Sequence, residues 1–421
     1  MEGSVSKLRP HLGSDSLRRY IPGEQRQKPL TVRMPLQPRT IPFFRPSIGE
    51  MEIESVRQTI CSGWLTTGPK VKEFELAFAD YIGASHCMAV NSGTAALYLA
   101  LEALGVRRGD EVLVPAITFA SAAAVVIHLG ARPVFVDCLS DTLSIDPCDL
   151  ERRITPRTKV IAPMHYGGQP CQMNRILEIA QGHRLSIVED AAHALPAFYD
   201  GQKIGTIGDV TCFSFYANKT ITTGEGGMIT TGNPDLARRM RLMSYHGISR
   251  DCVTRTGAKR AWHYEVVAPG YKVNMTDIAA SLGTHQLRRC DDFRDARQKC
   301  ADSYKTGLAS VEAIRTPVIG PDMRSAWHLY VIQLDLDQLK IDRDRFSDLL
   351  EEAGIGSSVH FLPLHMHPWY RDTFGYAPDD LPHSAAAYER ILSLPIFPSL
   401  SSDDIEYIVD TIASITRKHR R

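Results

Sequence analysis

The chain has 421 residues, which is enough for two domains with a large core in at least one of them. Its 48 Lys and Arg residues balance 48 Asp and Glu residues, so no overall charge directs it to nucleic acid or to an anionic membrane. Nine scattered cysteines without a CxxC pair, no apolar run of roughly 18 residues and no recognisable signal peptide predict a soluble cytoplasmic protein with neither of those partners.

The first 40 residues carry eight Lys and Arg residues against three Asp and Glu residues, with several prolines and little apolar periodicity. This composition predicts a flexible basic arm over residues 1–40, either a passive tail or, alternatively, a phosphate-binding segment. Apolar residues at helical spacing then predict helices over 50–62 and 70–82, each ended by a glycine.

From residue 86 onward, short β-type runs alternate with helical patterns, which is typical of parallel crossovers. We therefore predict the α/β fold class, with a large domain over 41–285 built on a mostly parallel central sheet covered on both faces. A smaller α+β domain over 286–421 is predicted because the spacing of elements changes after about residue 285: a long helical stretch from 279 to the region of 304 precedes a β-type run at 327–334, a charged helix over 343–353 and an apolar run at 359–364. The predicted strands of the large domain are 86–90, 111–114, 133–136, 160–164, 185–188, a run ending at 216, and 228–231.

Lys219 lies three residues after the run that ends at Tyr216, and a Thr/Gly-rich turn leads from it into the next run. The end of a strand in a parallel sheet is where α/β proteins display reactive groups. A solvated surface lysine is the alternative interpretation. Three other features favour a site: a carboxylate after an apolar strand, a Gly-Thr helix start and an aromatic residue after a strand. Together with the lysine, they are the groups needed to hold pyridoxal phosphate.

The sequence Ser92-Gly93-Thr94-Ala95 begins a predicted helix, whose free N–H groups can bind an anion while the glycine lets a ligand approach closely. An ordinary serine N-cap explains the same pattern. Neither GxGxxG nor GxxxxGK[ST] occurs, so the fingerprints of dinucleotide and P-loop sites are missing.

Asp190 follows the run Leu185-Ser-Ile-Val-Glu189 at the end of a predicted buried strand, so its carboxylate needs a cation or hydrogen-bond donors nearby. A protonated pyridine nitrogen is one such partner, and keeping that nitrogen charged makes pyridoxal phosphate an electron sink. An Arg or a pair of backbone N–H groups are the other possible partners.

Three further residues have a possible cofactor role, and two of them also have an ordinary alternative. Phe119 is placed to stack on the cofactor ring or to join the core. His193 is placed to hold the phenolic oxygen or to cap a turn. Ser214, on the strand before Lys219, can add a hydroxyl to the phosphate site.

Four motifs resemble those of the DegT/StrS-type sugar aminotransferases, in family order within a resemblance that runs from about residue 41 to about residue 400. They are Ser92-Gly-Thr-Ala-Ala-Leu, Glu189-Asp-Ala-Ala-His-Ala, Phe213-Ser-Phe-Tyr-Ala-Asn-Lys-Thr-Ile-Thr-Thr-Gly-Glu-Gly-Gly-Met and Gly270-Tyr-Lys-Val-Asn-Met-Thr-Asp-Ile. The resemblance implies an aspartate-aminotransferase-like fold of fold-type I and a pyridoxal phosphate enzyme that aminates keto-sugars attached to nucleotides.

The resemblance also implies roles for individual residues. Lys219 would form the Schiff base and shuttle a proton, and Asp190 would face the pyridine nitrogen. The other cofactor residues would be His193 at the phenolic oxygen, Phe119 over the ring, and Gly93, Thr94, Ala95 and Ser214 around the phosphate. The family further implies a homodimer with shared active sites, in which Asn274 reaches into the neighbour's phosphate site.

Within the family, the stretches 261–265, 271–274, 326–330 and 359–365 look closest to the branch of UDP-4-keto-sugar 4-aminotransferases, with L-glutamate as amino donor. Val273 departs from that branch, which usually has an aromatic residue there. Two alternatives are a deoxysugar dehydratase of the same family, which has a histidine in place of the lysine, and a cofactor-binding regulatory protein without turnover.

His365 is a candidate contact for the sugar or its diphosphate. Together with His360 and His367 it also suggests a zinc site, but no carboxylate or cysteine lies at a matching short spacing. Pyridoxal chemistry needs no metal, so we expect none.

Overall fold

A seven-stranded sheet lies at the centre of the structure, a computed structural model that describes residues 39–248 and 264–421. Its order is β1-β9-β8-β5-β4-β2-β3; β9 runs antiparallel to both neighbours and the other pairs are parallel, which confirms the predicted α/β sheet. A hairpin, β6 and β7, belongs to a separate small sheet. The strands to this point are β1 (His86–Val90), β2 (Glu111–Pro115), β3 (Arg132–Val136), β4 (Thr158–Ile161), β5 (Ser186–Asp190), β6 (Phe198–Tyr199), β7 (Gln202–Lys203), β8 (Val210–Ser214) and β9 (Gly227–Thr231).

Helices cover both faces of the central sheet, because successive side chains of a strand point to opposite faces. Val112 and Val114 of β2 pack with helices that follow β1 and β2, whereas Leu113 packs with the helix between β4 and β5. The helices of this part are α1 (Glu50–Ser62), α2 (Pro69–Ile82), α3 (Gly93–Ala103), α4 (Ser121–His128), α5 (Pro147–Arg152), α6 (Met173–His183) and α7 (Pro234–Met243).

The C-terminal part has its own antiparallel sheet and its own core. Strand β10 (Ile314–Arg315) pairs with β12 (Tyr330–Leu334), which pairs with β13 (Ile391–Leu394), while β11 (Met323–Arg324) pairs with β6. A second apolar core consists of Ile41 and residues between Cys300 and Ile415. The helices here are α8 (Asp277–Arg288), α9 (Cys290–Leu308), α10 (Arg343–Glu352), α11 (Pro368–Phe374), α12 (Pro382–Arg390) and α13 (Ser402–Lys418).

Three local expectations differ from the structure. The long helical stretch after residue 279 is two helices, because the backbone leaves the helical conformation at Arg289, between α8 and α9. The predicted β-type run 327–334 is a strand only over β12, and the apolar run 359–364 forms no strand; its end lies near β2, because the N–H of Leu364 donates to the carbonyl of Ala116 at 2.8 Å. Residues 40–421 form one compact unit, and the division between residues 285 and 286 stays a prediction.

Of the predicted basic arm, residues 1–38 lie outside the described residues, as do residues 261–263 of the first family stretch. None of the described helices has both the length and the apolar character that a membrane span requires.

Candidate active site

A cavity of about 470 Å³ lies at the carboxyl ends of β5 and β8 and at the N-terminus of α3. This volume is in the range of sites for small ligands. The carboxyl ends of parallel strands meet at one edge of a sheet, so residues distant in sequence converge there. Seven of the ten predicted site residues line the cavity: Gly93, Thr94, Phe119, Asp190, His193, Ser214 and Lys219.

The N-terminus of α3 forms one wall of the cavity. Ser92 is its N-cap, and its Oγ accepts a hydrogen bond of 3.1 Å from the N–H of Ala95. A Cβ on Gly93 would lie 3.0 Å from the Cβ of Ser214, so glycine lets the helix start lie directly against the end of β8. The serine N-cap is therefore compatible with an anion site at this helix start. The cap uses the N–H of Ala95, whereas Gly93 and Thr94 lie at the cavity wall with their own N–H groups. Ala95 does not line the cavity, and its N–H donates to the cap.

Asp190 is the last residue of β5 and is 4 % exposed. Its Oδ1 accepts a hydrogen bond of 3.0 Å from the N–H of Ala192, and the described residues provide no other hydrogen bond to the carboxylate. Burial raises the pKa of Asp190, although the Ala192 N–H and the charges of Lys219 and His165 oppose this effect. Neither an Arg nor a pair of amides neutralises it, so this carboxylate fits a protonated ring nitrogen of a bound cofactor.

Glu189, the residue before Asp190, lies on the opposite face of β5 and is fully buried in a hydrogen-bond network. Its Oε2 lies 3.0 Å from Nε2 of His165, and its Oε1 accepts hydrogen bonds from the hydroxyl of Thr211 and the N–H of Gly208. Burial raises the pKa of Glu189, but these hydrogen bonds, His165 first, produce a net lowering. The network fixes β5 against β8 and thereby fixes the direction of Asp190.

His193 lies on the loop after β5, and its Nδ1 accepts a hydrogen bond of 3.3 Å from the N–H of Gly167. The proton of the neutral ring is therefore on Nε2, which makes Nε2 a donor. Burial lowers the pKa of His193 well below its ordinary range, and the charges of Lys219 and His360 add to this. A neutral donor of this kind fits the phenolic oxygen of the cofactor.

Lys219 lies in the turn after β8, where its N–H donates to the carbonyl of Tyr216 at 2.9 Å. Its side chain lines the cavity, and its Nζ lies 3.5 Å from Nε2 of His328. Burial lowers the pKa of Lys219 to about 8, against the opposing effect of the Asp190 carboxylate. This is not a solvated surface lysine; a larger fraction of its amine is neutral near pH 7 than in a free lysine.

Phe119 is 58 % exposed and lies between β2 and α4 at the cavity wall. Its ring packs edge-on against Phe361, with the centroids 6.1 Å apart. Because one face of the ring remains accessible from the cavity side, Phe119 is available for stacking on a ligand rather than being part of the core.

Two predicted residues lie away from this cavity. Asn274 forms an isolated bridge with Val90, and its amide donates to the hydroxyl of Thr67. His365 is fully buried in a short turn, with Tyr376 as a ring neighbour at 6.3 Å. The structure therefore does not bring His365 to the cavity, and a direct contact with sugar or diphosphate there is not supported. Within the described residues, no group of three His, Cys, Asp or Glu side chains is placed to bind a metal.

The site contains residues for which sequence analysis assigned no role. His328, His360, Phe361, Tyr216 and Glu225 all line the cavity. Nδ1 of His360 lies 2.9 Å from Oγ of Ser393, and burial together with the charge of Lys219 lowers the pKa of His360 to about 4. His328 and His360 occur in the family stretches 326–330 and 359–365, which is the signal that could have identified them.

The fold and this cavity define a fold-type-I pyridoxal phosphate enzyme: the sheet edge presents a buried carboxylate, an amine of lowered pKa and a helix start of the kind that attracts anions. Residues 46–413 match the model of the DegT/DnrJ/EryC1/StrS aminotransferase family, to which this chain belongs.

Relatives and solved structures agree with this membership. The chain is 47 % identical over 378 residues to the spore coat polysaccharide biosynthesis protein SpsC of Bacillus subtilis, covering 90 % of this chain and 97 % of that protein. Spr1654 of Streptococcus pneumoniae, assigned as a sugar aminotransferase and solved in its PMP form, has a TM-score of 0.85 and 37 % identity over 90 % of this chain and 100 % of its own. PseC of Helicobacter pylori, an aminotransferase of pseudoaminic acid biosynthesis, has a TM-score of 0.84 and 26 % identity over 90 % of this chain and 100 % of its own. The chain is thus a sugar aminotransferase that uses pyridoxal phosphate.

Proposed function

We propose that this enzyme transfers an amino group from an amino acid, L-glutamate, to the keto group of a nucleotide-linked sugar, a UDP-4-keto sugar, giving an amino-sugar nucleotide and 2-oxoglutarate. The observation that carries this proposal is the Lys219 amine at the wall of a cavity that also contains the buried carboxylate of Asp190. The names of SpsC and PseC, which refer to polysaccharide and pseudoaminic acid biosynthesis, support a sugar substrate of this kind.

The geometry of the cavity supports a cofactor site with the following contacts. Asp190 pairs with the protonated ring nitrogen, and His193 donates from Nε2 to the phenolic oxygen. The N–H groups of Gly93 and Thr94 and the hydroxyl of Ser214 bind the phosphate, because a helix start attracts an anion. When bound, pyridoxal phosphate supplies an aldehyde that carries the amino group and a ring that withdraws electrons from the reacting carbon.

Lys219 has two tasks in this scheme. Its amine would hold the cofactor covalently when no amino substrate is bound. When free, the same amine would act as the base that moves a proton at the reacting carbon of the substrate. A pKa of about 8 suits this task, because a general base works best when its pKa is close to the working pH.

The remaining cavity wall suits a sugar. His328 and His360 are neutral because burial lowers the pKa of each, so each ring offers hydrogen-bonding nitrogens without a charge. Such groups match the hydroxyls of a sugar, which both donate and accept. Phe361 and Tyr216 add apolar faces on which a sugar ring can pack.

The working enzyme in this proposal is a cytoplasmic homodimer with shared active sites. Asn274 does not line the cavity of its own subunit, which is what a contribution to the neighbour's phosphate site requires. All cysteines in the described part of the chain are free, as expected for a reducing compartment.

The test is spectroscopic and needs only purified protein. The enzyme should be yellow, lose that colour when L-glutamate is added, and recover it when a keto-sugar nucleotide is added. Mass spectrometry on a panel of keto-sugar nucleotides then identifies the aminated product and its nucleotide. Lys219→Ala should abolish the covalent attachment of cofactor that borohydride preserves, whereas Lys72→Ala, at an exposed lysine of α2, should leave it unchanged.

The alternatives predict other results. A regulatory protein without turnover would be yellow but would keep its colour in L-glutamate. A deoxysugar dehydratase of the same family would release no 2-oxoglutarate, and the lysine at position 219 already disfavours it because that branch has a histidine there. Loss of colour with L-glutamate but no product from any UDP-linked 4-keto sugar would refute the proposed substrate alone.

A further inference from the structure

His328 contacts the amine on which the proposed chemistry depends. Its Nε2 lies 3.5 Å from Nζ of Lys219, and the described residues offer that Nζ no other hydrogen-bond partner. The ring is 4 % exposed, and its Nδ1 is buried without a hydrogen-bond partner in the described part of the chain. Lys219 is therefore the only hydrogen-bond partner that the described residues give to this ring.

The ring of His328 remains an uncharged hydrogen-bond acceptor in these surroundings. Burial lowers its pKa well below the ordinary range, and the charges of His193, Lys219, Arg297 and His360 add to this. A neutral imidazole nitrogen can accept an N–H from Lys219 while the lone pair of the neutral amine stays free to react. Because the imidazole is neutral, it adds no positive charge next to the amine of Lys219, which must be neutral to react.

The backbone that carries His328 is held on two sides. The buried guanidinium of Arg297 donates to the carbonyls of Trp327 and Ile396 at 3.2 and 2.7 Å. The N–H of Ala326 donates to the carbonyl of Gly168 at 3.0 Å. Trp327 has a φ of 50°, in the left-handed region, and a bulky residue keeps that conformation only where the surroundings impose it. The position of the imidazole is thus fixed by contacts that do not involve Lys219.

We propose that His328 is a positioning residue: it accepts a hydrogen bond from the free amine of Lys219 and holds that amine at the cofactor site whenever it is not bound to the cofactor. This inference rests on the role proposed above for Lys219. A lysine side chain has many rotamers, so a released amine without an anchor would spend much of its time out of reach. The other titratable groups that face Lys219 are the carboxylate of Asp190 and the rings of His193 and His360.

The test measures how fast Lys219 captures pyridoxal phosphate in protein stripped of cofactor. In that step the amine nitrogen bonds the aldehyde carbon and the aldehyde oxygen leaves as water; borohydride then reduces the bond and mass spectrometry quantifies it. His328→Phe keeps a ring but loses both nitrogens, whereas His328→Gln loses the ring but keeps an acceptor. We expect the capture rate to fall about tenfold in the Phe variant and to stay within about twofold in the Gln variant, as for the loss of one hydrogen bond.

A second measurement does not depend on a covalent bond between Lys219 and the cofactor. Pyridoxamine phosphate leaves the lysine free, so its dissociation constant, measured by fluorescence, should change less than about twofold in both variants, since His328 is not placed on the phosphate or ring nitrogen. An unchanged capture rate in the Phe variant, or an equal loss in the Gln variant, would overturn the proposal. Loss of pyridoxamine phosphate binding in the Phe variant would also overturn it, by assigning His328 to the shape of the cavity. Absence of capture at Lys219 in the unmodified protein would instead refute the proposed role of Lys219.

Discussion

Gly168 lies so close to His193 that a Cβ atom on this glycine would be 2.9 Å from the carbonyl oxygen of His193. The same Cβ would be 2.9 Å from the backbone nitrogen of Trp327, and Gly168 has a φ of 102°, which L side chains rarely adopt. Gly168 thus lies where the loop that carries His193 meets the loop that carries His328. As a result, the ring centroids of His193 and His328 are 4.2 Å apart.

Gly168→Ala should therefore weaken cofactor binding as well as stability. Both backbones would have to move apart, and the strained φ alone costs about 1–3 kcal/mol. We expect the midpoint of urea unfolding to fall and the dissociation constant for pyridoxal phosphate to rise. The matched control is Gly182→Ala in α6, where a Cβ meets nothing within 4 Å and the helix should gain roughly 0.5–1 kcal/mol. Equal effects of the two changes would contradict the assigned packing.

Asp190→Asn should remove most of the turnover while leaving part of the cofactor binding. The neutral amide no longer stabilises a protonated ring nitrogen in a buried site, and loss of one partner of such a pair costs about 3–5 kcal/mol. We expect kcat to fall by roughly 100-fold or more. Asp141→Asn, at an exposed aspartate in the loop after β3, controls for loss of one carboxylate. A near-normal kcat for Asp190→Asn would make Asp190 a structural residue.

The lowered pKa of Lys219 makes the stability of the cofactor-free protein depend on pH. The pKa is about 8 in the folded chain and 10.5 ordinarily, so the unfolded chain binds more protons between these values and stability rises with pH across that window. The cost of the buried charge is complete below pH 8 and disappears above pH 10.5. Lys219→Met should therefore stabilise the cofactor-free protein near pH 7, and the gain should shrink as the pH approaches 10.

Urea unfolding at a fixed protein concentration and at several pH values from 7 to 10 measures this gain, since a dimer makes the midpoint depend on concentration. Lys72→Met, at an exposed lysine of α2, controls for loss of one positive charge. A gain for Lys219→Met that stays constant with pH would show that the change acts through packing and not through the charge.

The central sheet and half of the cavity could be predicted because their signals are local. Strands β1 to β5 and β8 appear as short β-type runs, and Asp190 is the last residue of β5 while Lys219 lies in the turn after β8. A parallel sheet then brings the ends of those runs together without further information. The end of β4 was less predictable: the run continues to Met164, which only bridges Asp190, and the strand stops at Ile161 before Pro163.

The other half of the cavity comes from the C-terminal part, where no local pattern indicates which residues reach the site. His328 precedes β12, and His360 lies in the apolar run 359–364, which forms no strand. Their positions depend on long-range contacts, such as those of Arg297 with the loop before β12. His365 shows the opposite case. It lies in a family stretch and was expected at the site, but its side chain is fully buried away from the cavity.

The shared site can be tested by mixing two inactive variants, Lys219→Ala and Asn274→Ala. If Asn274 serves the neighbour's site, one site of each hybrid dimer has both an intact Lys219 and an intact Asn274 from the other subunit. Random pairing makes half of the dimers hybrid, each with one working site of two, so an equal mixture should recover about a quarter of the activity of the unmodified enzyme. A mixture of Lys219→Ala with Lys219→Met is the control and should stay inactive. If Asn274 acted within its own subunit, where its amide contacts Thr67, every site in the hybrid would be defective and no activity would return.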